Sequence, residues 1–149
     1  MTTKPIPEGY HTVTPYLVVP GVPRLIEFLQ RVFDAREVER MAHEDGTIMH
    51  AEVQIGNSRV MMGEPTGQMT PMPAMLYVYV DDPDATWRRA LDAGAVSVME
   101  PKDQFYGDRS AGVRDPMGNQ WWVAAHKEDV PPDEMARRAE AAMKQRSER

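Results

Sequence analysis

The feature of this chain that most constrains its fold is an internal repeat. When the second half is laid over the first, Tyr16 falls on Tyr77 and Gly56 falls on Gly118, at offsets of 61 and 62 residues. The predicted segments follow in the same order in both halves, and the predicted helices end alike, in VFDA and ALDA. This agreement in turn residues, spacing and order indicates a duplicated structural unit.

The apolar periodicity predicts what this unit contains. Period-two segments predict strands and the helical spacing after Val22 predicts an amphipathic helix, so that each half has the order β-α-β-β-β. The predicted segments are module one at about 12–64, a Pro- and Gly-rich linker at about 65–74, module two at about 75–126 and a C-terminal helix at about 132–147. The predicted fold class is α+β, with both modules in a single domain over residues 1–149.

The composition excludes several classes of function. The net charge of −6 offers no basic surface for nucleic acid, and no apolar run is long enough to cross a membrane. Because the chain contains no cysteine, it has no disulfide, no thiolate metal site and no cysteine nucleophile. The first residues lack the apolar core of a signal peptide, so we expect a cytoplasmic protein.

The stretch RDPMGNQWWV, residues 114–123, places two tryptophans directly after a turn. Asp-Pro and Gly-Asn predict the turn, and the residues that follow predict a strand. Successive side chains of a strand face opposite sides of the sheet. One of Trp121 and Trp122 must therefore face away from the core.

Several motifs of the chain resemble the vicinal oxygen chelate superfamily, which includes glyoxalase I, bleomycin-resistance proteins and extradiol dioxygenases. The two modules carry this resemblance, together with DPMGNQWWV at the end of the second. The segments TPYLVV, IMHAEVQIGNSRVMMGE, DQFYGDR and HKEDV are similar to its PhnB-like branch. The resemblance implies two curved mixed sheets around a cleft, helices on the outside, and a homodimer.

In the metal-dependent members of that superfamily, the first and last strands of each module contribute one ligand each. Carried over by position, these ligands fall on Thr14, on Val60 or Met62, on Met75 and on Trp122. None of them is His, Asp or Glu, the residue types that bind divalent transition metals without cysteine. The resemblance therefore implies no metal cofactor at these positions, with Trp122 facing the cleft and Trp121 facing the helices.

Strand alternation outward from those positions predicts the lining of the cleft. The candidate ligand-binding residues are Tyr16, Tyr77, Tyr79, Met62, Met75, Arg109, Arg114, Trp122 and His126. His50 and Glu52 are candidates for a catalytic acid–base pair, or else for an ordinary contact that satisfies a half-buried imidazole. Arg109 either binds a carboxylate or phosphate of the ligand or holds its own loop to module two. Glu52 and Arg114 are expected at equivalent places in the two halves, where they would form an ion pair.

We hypothesise that the chain is a metal-free protein that binds a flat, partly aromatic small molecule in this cleft. The alternative is an enzyme, of isomerase, lyase or oxygenase type, whose shifted divalent metal or acid–base site is drawn from His50, Glu52, Glu64 and His126. His50 and Glu52 are separated by a rise of about 7 Å along a strand, which is long for two ligands of one metal ion. A third interpretation is a dimeric module whose cleft is filled by its own side chains.

Overall fold

The structure is a computed structural model that describes residues 3–148. The order of elements in this range is a doubled β-α-β-β-β unit followed by one helix. The first unit contains β1 (Tyr16–Val18), α1 (Val22–Phe33), β2 (Arg36–Ala42), β3 (Ile48–Ile55) and β4 (Ser58–Gly63). The second unit contains β5 (Met75–Tyr79), α2 (Pro83–Asp92), β6 (Val96–Asp103), β7 (Asp108–Arg114) and β8 (Gln120–His126), and α3 (Pro132–Ser147) follows it.

Each unit folds into one four-stranded mixed sheet. The strand orders are β1-β4-β3-β2 and β5-β8-β7-β6, so the two sheets have the same topology. The first strand of each unit pairs in parallel with the last, and the other pairings are antiparallel. The predicted α+β fold with two repeated modules and a C-terminal helix is confirmed. Arg109, expected in a loop, lies in a strand, because β6 extends to Asp103 and β7 begins at Asp108.

The two sheets share one core, which the first two helices close. Helix α1 buries its apolar stripe, Val22, Leu25, Ile26, Phe28, Leu29 and Val32. Helix α2 is less apolar, begins at the N-cap Asp82, and buries Pro83, Thr86 and Ala90. The rings of Phe33 and Trp121 meet with their centroids 5.6 Å apart, which joins the end of α1 to the second sheet. Burial of these side chains is the main stabilising contribution to the contact between modules.

The register of the strands decides which side chains face the helices. Leu17, Ala51 and Met62 lie directly opposite one another on β1, β3 and β4, and all three are fully buried. Residues that lie directly opposite in neighbouring strands share a face. The prediction that Met62 lines the cleft is therefore wrong, because Met62 lies in the core with the helix-facing residues. We call the other side of each sheet, turned away from α1 and α2, its open face.

In the second sheet the prediction for the two tryptophans is confirmed. Trp121 lies opposite Leu76 and Val113 and is completely buried, so it faces the helices. Trp122 lies opposite Tyr77 and Gly112 on the open face. This assigns one indole to the core and the other to the surface that a ligand can reach.

A buried carboxylate fixes the turn that precedes these tryptophans. Asp115 is 3% exposed and accepts hydrogen bonds from the backbone N–H groups of Met117 and Asn119. Its Oδ2 accepts from the Asn119 side chain at 3.0 Å and from Trp121 Nε1 at 2.8 Å. The Asn119 amide oxygen in turn accepts from the backbone N–H of Ala74 at the start of β5. One network therefore sets the turn, the buried indole and the strand register together.

The segment after β8 is fastened to the β6–β7 turn. The backbone N–H groups of Lys127 and Glu128 both donate to the carbonyl of Gly107. Gly107 has φ +102° and lies so close to Glu128 that a Cβ would collide with its carbonyl oxygen, so only glycine fits there. His126 bridges Asp108 and Asp129 at 2.8 and 2.7 Å.

Helix α3 follows this segment and buries none of its residues, and it is held mainly by Arg138, which donates to Phe105 and Glu128. None of the helices within residues 3–148 is long and apolar enough to cross a lipid bilayer.

We predict that Asp115→Ala lowers the free energy of unfolding by roughly 3 kcal/mol, because it leaves the buried donors of Asn119 and Trp121 without acceptors. Urea unfolding at pH 7, followed by far-UV circular dichroism, measures the change. Asp45→Ala is the matched control, since Asp45 makes a similar turn contact with Thr47 at the surface and should cost less. Equal losses in the two variants would contradict a central role for the Asp115 network.

The bridge from His126 predicts a pH dependence of stability. Hydrogen bonds to Asp108 and Asp129 raise the pKa of His126 above its usual value. This stabilisation is fully present below the pKa of an unfolded histidine, about 6.5, and is lost as the pH rises through the raised value. His126→Gln should therefore lower the midpoint of thermal unfolding more at pH 5.5 than at pH 9. A difference between variant and wild type that is the same at both pH values would contradict the bridge.

Candidate functional site

The open face of the second sheet carries three neighbouring aromatic residues, Tyr77, Tyr79 and Trp122, which we call the aromatic strip. The rings of Tyr77 and Tyr79 meet edge to face with centroids 5.4 Å apart. Trp122 lies directly opposite Tyr77 in the sheet. Tyr79 is 66% exposed and Tyr77 is 40% exposed, so both rings are accessible from the open face.

Trp122 lies flat against the backbone of the neighbouring strand. A Cβ at Gly112 would come within 2.9 Å of a ring carbon of Trp122, which shows that the indole rests on the glycine. Trp122 Nε1 donates to the Gln120 side chain at 3.1 Å and fixes the ring orientation further. The ring is half-buried, so one of its faces stays available for stacking.

A cavity of about 720 Å³ opens between the two modules, beside the aromatic strip. We call it the seam cavity. Its walls combine aromatic and aliphatic side chains with a few polar groups, and include Thr14, Phe33, Asn57, Arg59, Leu76, Tyr77, Val78, Tyr79 and Trp121. This volume lies within the range of small-molecule sites, about 300–1,000 Å³. Of the predicted ligand-binding residues, Tyr77 and Tyr79 line this cavity.

The open face of the first sheet brings together the predicted pair His50 and Glu52. His50 Nε2 lies 3.1 Å from Glu52 Oε1, and His50 Nδ1 lies 3.3 Å from the hydroxyl of Tyr16. The side chains converge although the residues are two positions apart, so backbone spacing does not separate them. Burial tends to raise the pKa of Glu52, but contacts with Tyr10 and His50 lower it more, and the net shift is downward. Glu52 is therefore an ionised carboxylate that is only 8% exposed.

Three further residues of this face were missed from the sequence. Glu39 lies directly opposite Glu52 on β2, and ligand atoms of Glu39, His50 and Glu52 lie within 4.8 Å of one another. Tyr10 has a buried hydroxyl with no hydrogen-bond partner in the described range, and burial and the Glu52 carboxylate raise its pKa to about 12. The guanidinium of Arg59 lies 5.2 Å from the centre of the Tyr10 ring. Glu39 was missed because the bulge at Val38 breaks the period-two pattern of β2. Arg59 was missed because the expected register of β4 was one residue off and placed Val60 and Met62 on this face.

A second polar cluster lies on the open face at the end of β8. The Tyr77 hydroxyl donates to Asp108 at 2.8 Å, and the other oxygen of Asp108 lies 2.8 Å from His126. Burial raises the pKa of Asp108, but the contacts of His126 and Tyr77 lower it more, and the net shift is downward. Burial and the Asp108 carboxylate raise the pKa of Tyr77. His126 is thus already satisfied by two carboxylates, and Tyr77 is a hydrogen-bond donor.

Arg109, predicted as a ligand-binding residue, has a structural partner on α2. Its guanidinium makes two parallel hydrogen bonds to Asp84, at 2.7 and 2.8 Å, and a third to Asp103 at 3.2 Å. These contacts lower the pKa of Asp84. Arg109 therefore ties β7 to the first turn of α2. Of its two predicted roles, the geometry supports the structural one and not ligand binding.

Glu64 and Arg114 also differ from their predicted roles. The carboxylate of Glu64 accepts from the backbone N–H groups of Gly21 and Ile48, so it holds the start of α1 to β3. Arg114 is exposed on the second sheet opposite Gln120, and no ion pair with Glu52 occurs within residues 3–148. The equivalent of Glu52 in the second module is Gly112, because each lies opposite the open-face residue of the last strand.

The positions that would carry the inherited metal do not fit a metal ion. Tyr16 pairs with Met61 as Tyr77 pairs with Trp122, so the fourth position falls on Met61 and not on Val60 or Met62. The four side chains are thus those of Thr14, Met61, Met75 and Trp122. A hydroxyl, two thioethers and an indole are not the imidazole and carboxylate donors that Zn²⁺, Ni²⁺ or Mn²⁺ prefer.

Comparisons with known proteins agree with this architecture. The family model described as "Glyoxalase/Bleomycin resistance protein/Dioxygenase superfamily" matches residues 10–123. An uncharacterized protein of Mycobacterium bovis is 35% identical over 134 residues, which cover 83% of this chain and 88% of that protein.

Many solved structures are similar to this chain. The crystal structure of TioX from Micromonospora sp. ML1 has a TM-score of 0.67 and 29% identity, and the match covers 78% of this chain and 98% of TioX. TnmS3, an antibiotic binding protein from Streptomyces sp. CB03234, has a TM-score of 0.63 and 19% identity, over 78% of this chain and 96% of TnmS3. The family match, the doubled module and the strand order together show that the chain belongs to the glyoxalase/bleomycin resistance protein/dioxygenase superfamily.

Proposed function

We propose that this protein binds a flat, partly aromatic small molecule, which enters the seam cavity and stacks along the aromatic strip. The observation that carries the proposal is the cavity of about 720 Å³ lined by the exposed rings of Tyr77 and Tyr79, with Trp122 directly opposite Tyr77 in the sheet. Stacking on such rings is worth on the order of 1 kcal/mol per ring beyond the burial of area. TnmS3, an antibiotic binding protein that shares the fold, supports binding of a small molecule.

The strip is built to keep its rings in place without a ligand. Trp122 rests on Gly112 and is fixed by Gln120, and the Tyr77 hydroxyl is held by Asp108. Because the rings are already ordered, binding does not have to restrict them, and more of the stacking energy remains as affinity. Met75, 64% exposed beside Tyr77 on β5, extends the apolar surface at one end.

Binding of this kind needs no metal at the inherited positions. Thr14, Met61, Met75 and Trp122 offer apolar contact and one hydroxyl, which suits a stacked organic ligand. Polar groups in the wall of the seam cavity, such as Thr14 and Asn57, then orient the ligand by hydrogen bonds. We accordingly propose a ligand-binding protein in preference to an enzyme that polarises its substrate with a metal at these positions.

The enzyme alternative keeps one supporting observation, the contact of 3.1 Å between His50 and Glu52. An imidazole next to an ionised carboxylate is a suitable general base. Glu64 and His126 do not join His50 and Glu52 in one site, since both have their own structural partners. A catalytic role would rest on His50, Glu52 and the adjacent Tyr16.

We also propose that the protein is a cytoplasmic homodimer of the PhnB-like branch. Large apolar side chains remain exposed on the open faces and edge strands, namely Met41, Met75, Tyr79 and Val96, at 46%, 64%, 66% and 63%. Exposed apolar surface of this kind is typical of protein or ligand contacts.

We predict that Tyr79→Ala and Trp122→Ala each weaken binding of a planar polycyclic compound about tenfold, through loss of one stacking partner and its buried area. A panel of planar antibiotics and dyes, bleomycin and 9-aminoacridine among them, is first screened against wild type by thermal shift. Affinities of the compounds that bind are then measured by isothermal titration calorimetry.

The control is Phe105→Ala, since Phe105 is an exposed ring in the β6–β7 turn, outside the seam cavity. The Phe105→Ala variant should bind the same compounds with the affinity of wild type. Binding that is unchanged in Tyr79→Ala and Trp122→Ala, or a panel in which no compound binds, would contradict the proposed function.

For the proposed dimer we predict a sedimentation mass of about twice 16.9 kDa for wild type in analytical ultracentrifugation. Met75→Glu should shift the protein towards the mass of one chain, because it places a charge on the apolar open face. Met143→Glu, which changes an exposed methionine of α3, is the control and should leave the mass unchanged. A wild-type protein that sediments as one chain at micromolar concentration would contradict the dimer.

A further inference from the structure

The open face of the first sheet holds a set of donors that the proposed ligand binding does not use. We propose that Glu39, His50 and Glu52 form a binding site for a divalent first-row transition metal ion. The donor atoms come from two adjacent strands and lie within 4.8 Å of one another. One imidazole and two carboxylates are the ligands that Zn²⁺, Mn²⁺, Ni²⁺ and Fe²⁺ accept. The set shares no residue with Thr14, Met61, Met75 and Trp122, the positions at which the superfamily resemblance implies a metal, although Glu52 lies directly opposite Met61.

The cross-strand pair of carboxylates is the first argument. Glu39 lies directly opposite Glu52, and like charges in this position repel each other. Glu52 is 8% exposed, so little water is available to screen this repulsion. Its ion-pair partner among residues 3–148 is His50. A divalent cation between the two carboxylates would neutralise both and would use the imidazole as a third ligand.

The orientation of His50 is the second argument. Its Nε2 points to Glu52, while Nδ1 lies 3.3 Å from the hydroxyl of Tyr16. Histidine ligands of metals commonly donate their second ring nitrogen to an outer partner, which fixes the tautomer and the ring. Tyr16 supplies such a partner, from β1 and therefore from outside the ligand set. His50 would coordinate through Nε2 and donate from Nδ1 to Tyr16.

The Tyr10 hydroxyl is the third argument. It is buried, lies beside Glu52 and has no hydrogen-bond partner within the described part of the chain. Three protein ligands leave at least one coordination position open, and a water or ligand oxygen there would be within the same face as Tyr10 and Tyr16.

A bulge that occurs in both modules explains why Glu39 faces the open side of its sheet. A bulge between Glu37 and Glu39 leaves Val38 unpaired and turns Glu39 to the open face. The second module has the same bulge between Ser97 and Met99. The fold therefore provides the position twice, and only the first module fills it with a metal ligand.

The test uses the purified full chain, stripped with chelator and titrated with Zn²⁺ by isothermal titration calorimetry, and separately with Co²⁺ by visible absorption. Wild type should bind one ion per chain and give the d–d bands of a protein-bound Co²⁺. Glu39→Gln, on an exposed strand, should fold normally and weaken Zn²⁺ binding about tenfold or more. His50→Gln should abolish the Co²⁺ bands.

Two controls make the result specific. Glu37→Gln changes an exposed glutamate of the same strand, and His126→Gln removes a histidine between carboxylates on the other sheet; both should bind Zn²⁺ as wild type does. Absence of binding in wild type, or equal affinity in wild type, Glu39→Gln and Glu37→Gln, would overturn the site. Loss of binding in His126→Gln alone would place the ion elsewhere and overturn it too. Binding of the aromatic compounds is measured with EDTA present. The result for the proposed aromatic binding is then independent of whether the metal site exists.

Discussion

The structure depends on strand register, because the side chains directly opposite one another in a sheet share one face. In the first module Leu17, Ala51 and Met62 form one row toward α1, and in the second Leu76, Trp121 and Val113 form the corresponding row. A shift of one residue would exchange core and open face along a whole strand. The Asp115 network opposes that shift in β8, since it binds the turn, the indole of Trp121 and the start of β5 at once.

The same constraint explains how far the sequence could predict the site. The repeat and the alternation predicted the order of elements and the opposite orientations of Trp121 and Trp122, because these depend on local periodicity alone. The prediction that Met62 lines the cleft was wrong because the offset between the two repeats changes between 61 and 62 residues. The turns before β4 and β8 differ in length. Ile55 pairs with Ser58 across two residues, whereas Arg114 pairs with Gln120 across five. A sequence pattern does not specify how a turn absorbs such a difference.

The polar residues show a second limit. Glu64, Arg109 and His126 each looked available for a ligand, and each is satisfied by a partner distant in sequence. Burial of a charged group requires such partners, and tertiary contacts choose them. Conversely, Glu39 escaped notice because the bulge at Val38 breaks the period-two pattern of β2. The division into modules at 12–64 and 75–126 stays a prediction about folding units, since the shared core joins both.

The two open faces share one backbone geometry and differ in the side chains at equivalent positions. At the paired positions opposite the bulges, the first module has Glu39 and Glu52, and the second has Met99 and Gly112. Glycine lets the indole of Trp122 lie flat and makes a stacking surface, whereas glutamate in the same place makes an anionic one. A duplicated sheet can thus offer one half to an aromatic ligand and the other half to a cation. The side chains of Thr14, Met61, Met75 and Trp122 do not suit a metal ion. The open face of the first sheet nevertheless brings Glu39, His50 and Glu52 together on β2 and β3, with Glu52 directly opposite Met61.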